Sequence, residues 1–465
     1  MELFTQERIN QFLTLLKQTQ VEVHAITIYQ EGRLLLNRAY APFEIDALHP
    51  LYSVSKSFLS IAVGYLVSDR KIDINAPWLT YCPAYADIVA DPAFRNVTVR
   101  HLLTMSLGQD AEAAAHGDDD WAAAVAGKPL CYEPGTKFFY NSMCSHMLSV
   151  LVQTVAGQKV SDLLAERLFA QLGIHDYYWE EDRLGHTTGG FGLHLSTPDL
   201  AKFGLCCLNH GVYQGKQIIP AEWLAEATRK QMENASEYPI DRTENRQGYG
   251  YQFWMCTHGA YRCSGLHGQM CFIQPENRLV IAMSSATSGS QAILNCLFRA
   301  IDYPEAVPQF TDFSIPPIKG IAAGFLDDTK SYRYAALENP ARITELEWEQ
   351  PDGEHIKVTL LRGRERFSFT AGYNEWTRQT NAFENFSKFI AADSIRTMRP
   401  EKYAPILFGN YAWLTKTTLQ IQLRALDCAS KFNFVFYIDR GYLTLHYEVK
   451  ALYTTFSTFD VVFRR

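Results

Sequence analysis

Apolar residues change their spacing near residues 307–328, and that change limits the fold more than any other feature of the chain. Beyond it they fall on every second position: Ile356, Val358 and Leu360 against Lys357 and Thr359, then Leu419, Ile421 and Leu423, then Phe432, Phe434, Phe436 and Ile438, then Leu443, Leu445, Tyr447 and Val449. Period two marks one face of a β-strand, because successive side chains point to opposite sides. Ile343 to Trp348 adds a further run, and Pro351-Asp352-Gly353 and Asp439-Arg440-Gly441 supply turn chemistry between runs. Residues 329–465 are therefore expected to form a separate antiparallel β domain. The preceding stretch is rich in Pro and Gly without a period, which predicts a linker over 311–328.

Residues 1–310 mix two periods. Phe4, Ile9, Phe12, Leu13 and Leu16 have helical spacing, and Ala25–Tyr29 and Arg33–Leu36 flank Glu31-Gly32 as in a hairpin. Helical spacing returns in Phe58, Leu59, Ala62, Val63, Leu66 and Val67, in Val99–Met105, in Met147–Val155 before Gly157, and in the segments beginning at Thr197 and Ala221. Strand signals follow at Tyr249–Trp254, Met270–Ile273 and Leu279–Met283, then a helix over Gln291–Ile301. Strands at both ends with helices between predict an α/β (α+β) unit over 1–310, one sheet domain interrupted by a helical domain at about 55–240.

Composition removes several classes of function. Forty-three Lys plus Arg against 50 Asp plus Glu leave a net charge of −7 without long like-charge runs, which argues against nucleic-acid or anionic-membrane partners. No apolar run reaches the roughly 20 residues that cross a bilayer, and the first residues lack a signal-peptide core, so no membrane and a cytoplasmic location are expected. Ten cysteines in 465 residues form no Cys-x-x-Cys pair and are expected to be reduced, with Cys206 and Cys207 packing inside a helix. Thirteen His include no His-Glu-x-x-His and no His-x-His, so no metal is expected. Absence of Gly-x-Gly-x-x-Gly and Walker patterns implies no cofactor, and absence of Gly-x-Ser-x-Gly excludes a nucleophile elbow. The acidic run Gly117–Asp120 before Trp121 is a helix entry capped by Asp120, or else a cation loop; the cap is favoured.

Leu51-Tyr-Ser53-Val-Ser-Lys56-Ser-Phe58 is the most chemically suggestive segment. A Ser and a Lys three apart at a helix start share one face, so the amine reaches the hydroxyl while the helix N-terminus offers N–H groups to an oxyanion. This suits a nucleophilic Ser deprotonated by a neutral Lys. Ser53 taken alone is equally an N-cap, and Ser68-Asp-Arg-Lys71 has the same spacing but ends an apolar helix and reads as solvated.

Around that segment stand His49-Pro-Leu-Tyr-Ser53-Val-Ser-Lys56-Ser-Phe58, Thr98-Val-Arg-His-Leu-Leu-Thr-Met105, Pro134-Gly-Thr-Lys-Phe-Phe-Tyr140-Asn-Ser142, Gly192-Leu-His-Leu-Ser-Thr-Pro-Asp-Leu-Ala201 and Gly265-Leu-His267-Gly268-Gln269 with Pro275-Glu276. In order and spacing they resemble the serine β-lactamase and penicillin-binding-protein-like hydrolases, nearest the class C β-lactamase and esterase branch, over about residues 20–305. The resemblance implies a groove between a helical and a sheet domain, with Ser53 as acylated nucleophile, Lys56 as its base and Tyr140 passing the proton to the leaving group. It also implies substrate-binding or oxyanion roles for Asn141, Ser142, His267, Gly268 and Gln269, the Gln269 amide pairing with that of Ser53. Two departures matter. Tyr-Asn-Ser stands where the family has Tyr-x-Asn, and Leu-His-Gly stands where it has Lys-Thr-Gly, so His267 replaces a fixed cation.

These features predict a serine hydrolase acting on a small ester, amide or peptide-like substrate. A true β-lactamase or D-alanyl-D-alanine carboxypeptidase is the alternative, followed by a non-catalytic binding member of the fold. The oligomeric state is not legible.

Overall fold

The computed structural model describes residues 4–112, 120–321, 331–380, 403, 405–426, 429–439, 441–450 and 458–464. The chain divides into two units, one running to Phe313 and the other beginning at Ser314. In the first, strands β1 (Val23–Gln30), β2 (Arg33–Ala39), β3 (Trp254–Met255), β4 (Tyr261–Ser264), β5 (Met270–Gln274) and β6 (Leu279–Ser285) form a sheet in the order β2-β1-β6-β5-β4-β3, with every neighbouring pair antiparallel. Glu31 and Gly32 both have positive φ, 52° and 74°. That is the backbone of a tight hairpin turn whose twist matches its strands, and Gln30 pairs with Arg33 across it.

The longer helices among the described residues are α1 (Gln6–Gln18), α2 (Ser55–Ser68), α3 (Ser142–Ala156), α4 (Thr197–Leu208) and α5 (Ser290–Asp302). Strands β5 and β6 are buried along their whole length because helices cover both faces. Phe272 meets Phe298 of α5 on one side, while on the other Cys271 lies under Leu200 and Gly204 of α4. Between the two sheet halves the chain builds the helical part. Helix α2 is buried over nearly all its length, packs against α3, and stacks Phe58 on Phe203 of α4 at 4.0 Å. Gly157 ends α3 in the left-handed conformation.

Two strand expectations are corrected. Of Tyr249–Trp254 only Trp254 joins a strand, β3; Gly250 runs too close to the Ala227 carbonyl for any side chain, and Gln252 has φ 66°. Strand β4 escaped the sequence pattern because Arg262, a charged residue at its second position, is fully buried. Its guanidinium donates through Nη1 to the Glu244 carbonyl at 2.8 Å and through Nη2 to Asn245 Oδ1 at 2.6 Å, which lowers the cost of holding it inside.

The second unit is a barrel. Its strands are β7 (Tyr332–Ala336), β8 (Glu345–Glu349), β9 (His355–Arg362), β10 (Glu365–Tyr373), β11 (Thr377–Thr380), β12 (Ile406–Trp413), β13 (Thr418–Ala425), β14 (Ser430–Asp439), β15 (Tyr442–Lys450) and β16 (Thr458–Arg464), ordered β10-β9-β8-β7-β16-β15-β14-β13-β12-β11. A short parallel pairing of β10 with β12, Gly372 opposite Asn410 and Tyr373 opposite Tyr411, closes it. Gly409 allows this closure, since a Cβ there would lie 2.1 Å from the Thr370 carbonyl oxygen. The alternating residues fill the interior, with Leu346, Trp348, Val358, Leu360, Phe434, Phe436, Leu445 and Tyr447 all buried.

Nine described cysteines are free and eight of them are buried, Cys206 and Cys207 included. No helix among the described residues is long and apolar enough to cross a membrane. Because each unit carries its own hydrophobic core, a chain ended at Phe313 is expected to unfold in one cooperative transition. Circular dichroism on heating checks this; an insoluble or non-cooperative product would show that the first unit needs the second.

Candidate active site

Ser53 lies in a single 3₁₀ turn, Tyr52–Val54, that runs directly into α2. The turn is held from several sides. The Leu51 amide donates to the Leu193 carbonyl at 2.8 Å, the Ser55 hydroxyl donates to the Tyr52 carbonyl at 2.6 Å, and the same hydroxyl accepts from the Leu193 amide at 3.1 Å. Tyr52 sits at φ 48°, a strained conformation that this anchoring maintains. Gly265, at the end of β4, approaches so closely that a Cβ there would lie 2.3 Å from the Leu51 carbonyl oxygen and 3.3 Å from the Ser53 amide nitrogen.

Lys56 follows on the first turn of α2 and is 1% exposed. Its Nζ lies 3.0 Å from Ser53 Oγ, 3.2 Å from Ser142 Oγ and 2.6 Å from the Gly190 carbonyl oxygen. Burial pushes the amine down to about 7, against the opposing charge of Glu112. The Tyr140 ring lies beside it, with its centroid 4.8 Å from Nζ, and packs on Trp254. An amine that is half neutral near pH 7 at hydrogen-bond distance from a hydroxyl is able to take that hydroxyl's proton.

The remaining sequence candidates divide. Ser142 faces Lys56, and its amide donates to Glu112 Oε1 at 2.5 Å. Asn141 is 1% exposed, and its Oδ1 caps α3 by accepting from the Met143 amide at 2.9 Å. His267, at φ 60°, sets its ring edge-on to Tyr52 at 5.3 Å, next to the nucleophile turn. Gly268 is buried with φ 81°, and a Cβ there would strike Ser285 Oγ at 2.4 Å. Gln269 follows the 266–268 turn. Its amide makes a long bond, 3.3 Å, to the Leu266 carbonyl, and its fully buried side chain donates to the Ser285 carbonyl at 2.7 Å.

Two participants were missed. The Gly190 carbonyl is a backbone group with no side-chain signature; the Gly189-Gly190 pair was the available signal, since side chains there would strike the Ser145 and Ser142 carbonyl oxygens. Glu112 is an exposed acid that only the fold brings to Ser142. Ser68 is exposed at the end of α2, as its solvated reading requires. Asp120 caps the helix 121–126 through the Ala123 amide at 3.0 Å, while Gly117, Asp118 and Asp119 lie outside the described residues.

The depressed Lys56 amine sets a pH dependence. Below about 7 it is protonated and cannot accept a proton, so covalent labelling of Ser53 by a fluorophosphonate is expected to rise with pH up to a plateau above that value. Lys56→Arg keeps its charge throughout and is expected to label at a small fraction of the parent rate with no such rise. A labelling rate that is flat between about pH 5 and 9 in the parent would remove Lys56 as the base.

A family model described as Beta-lactamase matches residues 9–296. The 6-aminohexanoate-dimer hydrolase of Paenarthrobacter ureafaciens is 27% identical over 293 residues, covering 56% of this chain and 72% of that protein. Esterase EstB of Burkholderia gladioli is 26% identical over 173 residues, 33% of this chain and 44% of its own length. Among solved structures, the octameric penicillin-binding protein homologue from Pyrococcus abyssi matches 98% of this chain and 99% of its own, with a TM-score of 0.52 at 15% identity, a likeness of fold that includes the barrel unit.

Proposed function

Since this chain belongs to the Beta-lactamase family and is a serine hydrolase, we propose that it cleaves a small ester or amide through an acyl-Ser53 intermediate. The observation that carries the proposal is the 3.0 Å approach of the buried Lys56 amine to Ser53 Oγ. A neutral amine has two N–H donors and one lone pair. The Gly190 carbonyl and Ser142 hydroxyl take the donors, which turns the lone pair toward the Ser53 proton. Lys56 accepts that proton as Oγ bonds to the substrate carbonyl carbon, and the same proton passes from Lys56 by way of the Tyr140 hydroxyl to the departing oxygen or nitrogen as its bond to the carbonyl carbon breaks, which leaves both side chains as they began. Water then attacks the acyl ester, returning the Ser53 proton and releasing the acid.

The oxyanion needs two N–H donors, and the Ser53 amide is one. The second donor in this scheme comes from the backbone of the 265–269 segment, which Gly265 brings against the Ser53 amide. Ser53→Ala is expected to lower kcat by roughly 10³ to 10⁶ on any p-nitrophenyl ester the parent turns over. Intact-mass analysis after fluorophosphonate treatment checks the same assignment, because labelling that survives Ser53→Ala would place the nucleophile elsewhere.

Substrate preference follows from what the groove lacks. A β-lactam or peptide carboxylate calls for a fixed cation, and the position holds His267; an acylamino group calls for a side-chain amide two residues after Tyr140, where Ser142 stands, with Asn141 one place earlier and its Oδ1 capping α3. A missing buried partner costs several kcal/mol, whereas a short apolar ester needs neither contact. The ratio of kcat/KM for p-nitrophenyl butyrate over nitrocefin is therefore expected to exceed about 10². Equal or faster nitrocefin turnover on the same preparation would favour the β-lactamase reading.

A further inference from the structure

We propose that His146, Asp182 and His186 form a binding site for one divalent transition-metal cation, zinc by the character of its donors. The three come from two elements: His146 projects from the second turn of α3, and Asp182 and His186 lie four residues apart in the loop that follows Trp179. Asp182 Oδ1 is fixed by the amides of Leu184 at 2.9 Å and His186 at 2.8 Å. This aims Oδ2 at both rings, 3.0 Å from His186 Nδ1 and 3.2 Å from His146 Nε2. All three donor atoms lie within 4.8 Å of one another.

One observation favours a cation over a plain hydrogen-bonded cluster. The two Oδ2–nitrogen separations, 3.0 and 3.2 Å, admit a shared cation with bonds near 2.0–2.1 Å but equally admit hydrogen bonds. The His146 ring decides between them: it is 1% exposed, and among the described residues neither of its nitrogens makes a hydrogen bond, the 3.2 Å approach to Asp182 being a close charge contact only. A buried ring nitrogen without a partner is costly, and a metal–nitrogen bond would satisfy it. Two imidazoles and a carboxylate suit zinc and its neighbours better than calcium or magnesium, which take oxygen. Three protein donors leave a position for water.

The site bears on the catalytic groove without touching it. Four residues beyond His186, Gly190 gives its carbonyl to Lys56, and four residues before His146, Ser142 gives its hydroxyl. A cation held between α3 and this loop would join the two elements that position the Lys56 amine.

The test uses the full chain, stripped with a chelator and titrated with zinc and, separately, cobalt. The parent is expected to bind one equivalent of zinc per chain by calorimetry and elemental analysis, to show visible cobalt absorption, and to gain about 5 °C in Tm at saturating zinc. His186→Ala, which removes the most exposed donor, is expected to lose all three responses while keeping the parent's far-ultraviolet dichroism. If that variant does not fold, His186→Gln replaces it and is expected to weaken zinc binding at least about tenfold. Absence of stoichiometric binding in the parent, or equal binding by the parent and the folded variant, overturns the proposal.

Discussion

An amine taken out of water must be neutralised or paired, and among the described residues Lys56 has no carboxylate in contact with its nitrogen: its partners are two hydroxyls, a carbonyl and an aromatic face. Its amine therefore falls from 10.5 to about 7 through burial. The cost is borne by folding. Between those two values the unfolded chain binds the extra proton, so the folded state gains stability as pH rises across that window. The rest of the unit is arranged around keeping this nitrogen dry and close to Ser53, which is why α2 is buried over nearly its whole length instead of along one stripe.

That arrangement depends on contacts far apart in the chain. Gln252 gathers three helical segments, with its carbonyl accepting from Ser57, its Oε1 from Ser145, and its Nε2 donating to the Leu103 carbonyl at 2.9 Å. Its positive φ of 66° and the tight passage of Gly250 explain why a stretch that alternates like a strand is bent into a bracket. Gly265 brings the sheet against the nucleophile turn. The sheet thus meets the nucleophile turn at a close backbone contact, and small displacements there would be felt in the distance from Lys56 to Ser53.

Much of this was legible in the chain. The Glu31-Gly32 hairpin, the helices at Phe58–Val67 and before Gly157, and the alternating residues of the barrel lie where their periods and turn residues put them. Less legible were β4, hidden by the buried Arg262, and the strand expected over Tyr249–Trp254. Of the site, the Ser53–Lys56 pairing was readable because three-residue spacing at a helix start is a local fact. The cap that Asn141 makes and the core hydrogen bond of the Gln269 side chain were not legible, since the same residue types serve equally well in a groove.

Sequence by itself determined the two-part organisation, the periods of the elements and the face shared by Ser53 and Lys56, because each of these follows from interactions within a few residues. Tertiary structure decided the chemistry around them. The Gly190 carbonyl, Glu112, and the His146–Asp182–His186 cluster come together only when α3, the loop after Trp179 and the start of α2 are packed. The pKa of Lys56 belongs to this second class as well. A protonation equilibrium is set by everything that excludes water from the group, and that is a property of the assembled core with no counterpart in local spacing.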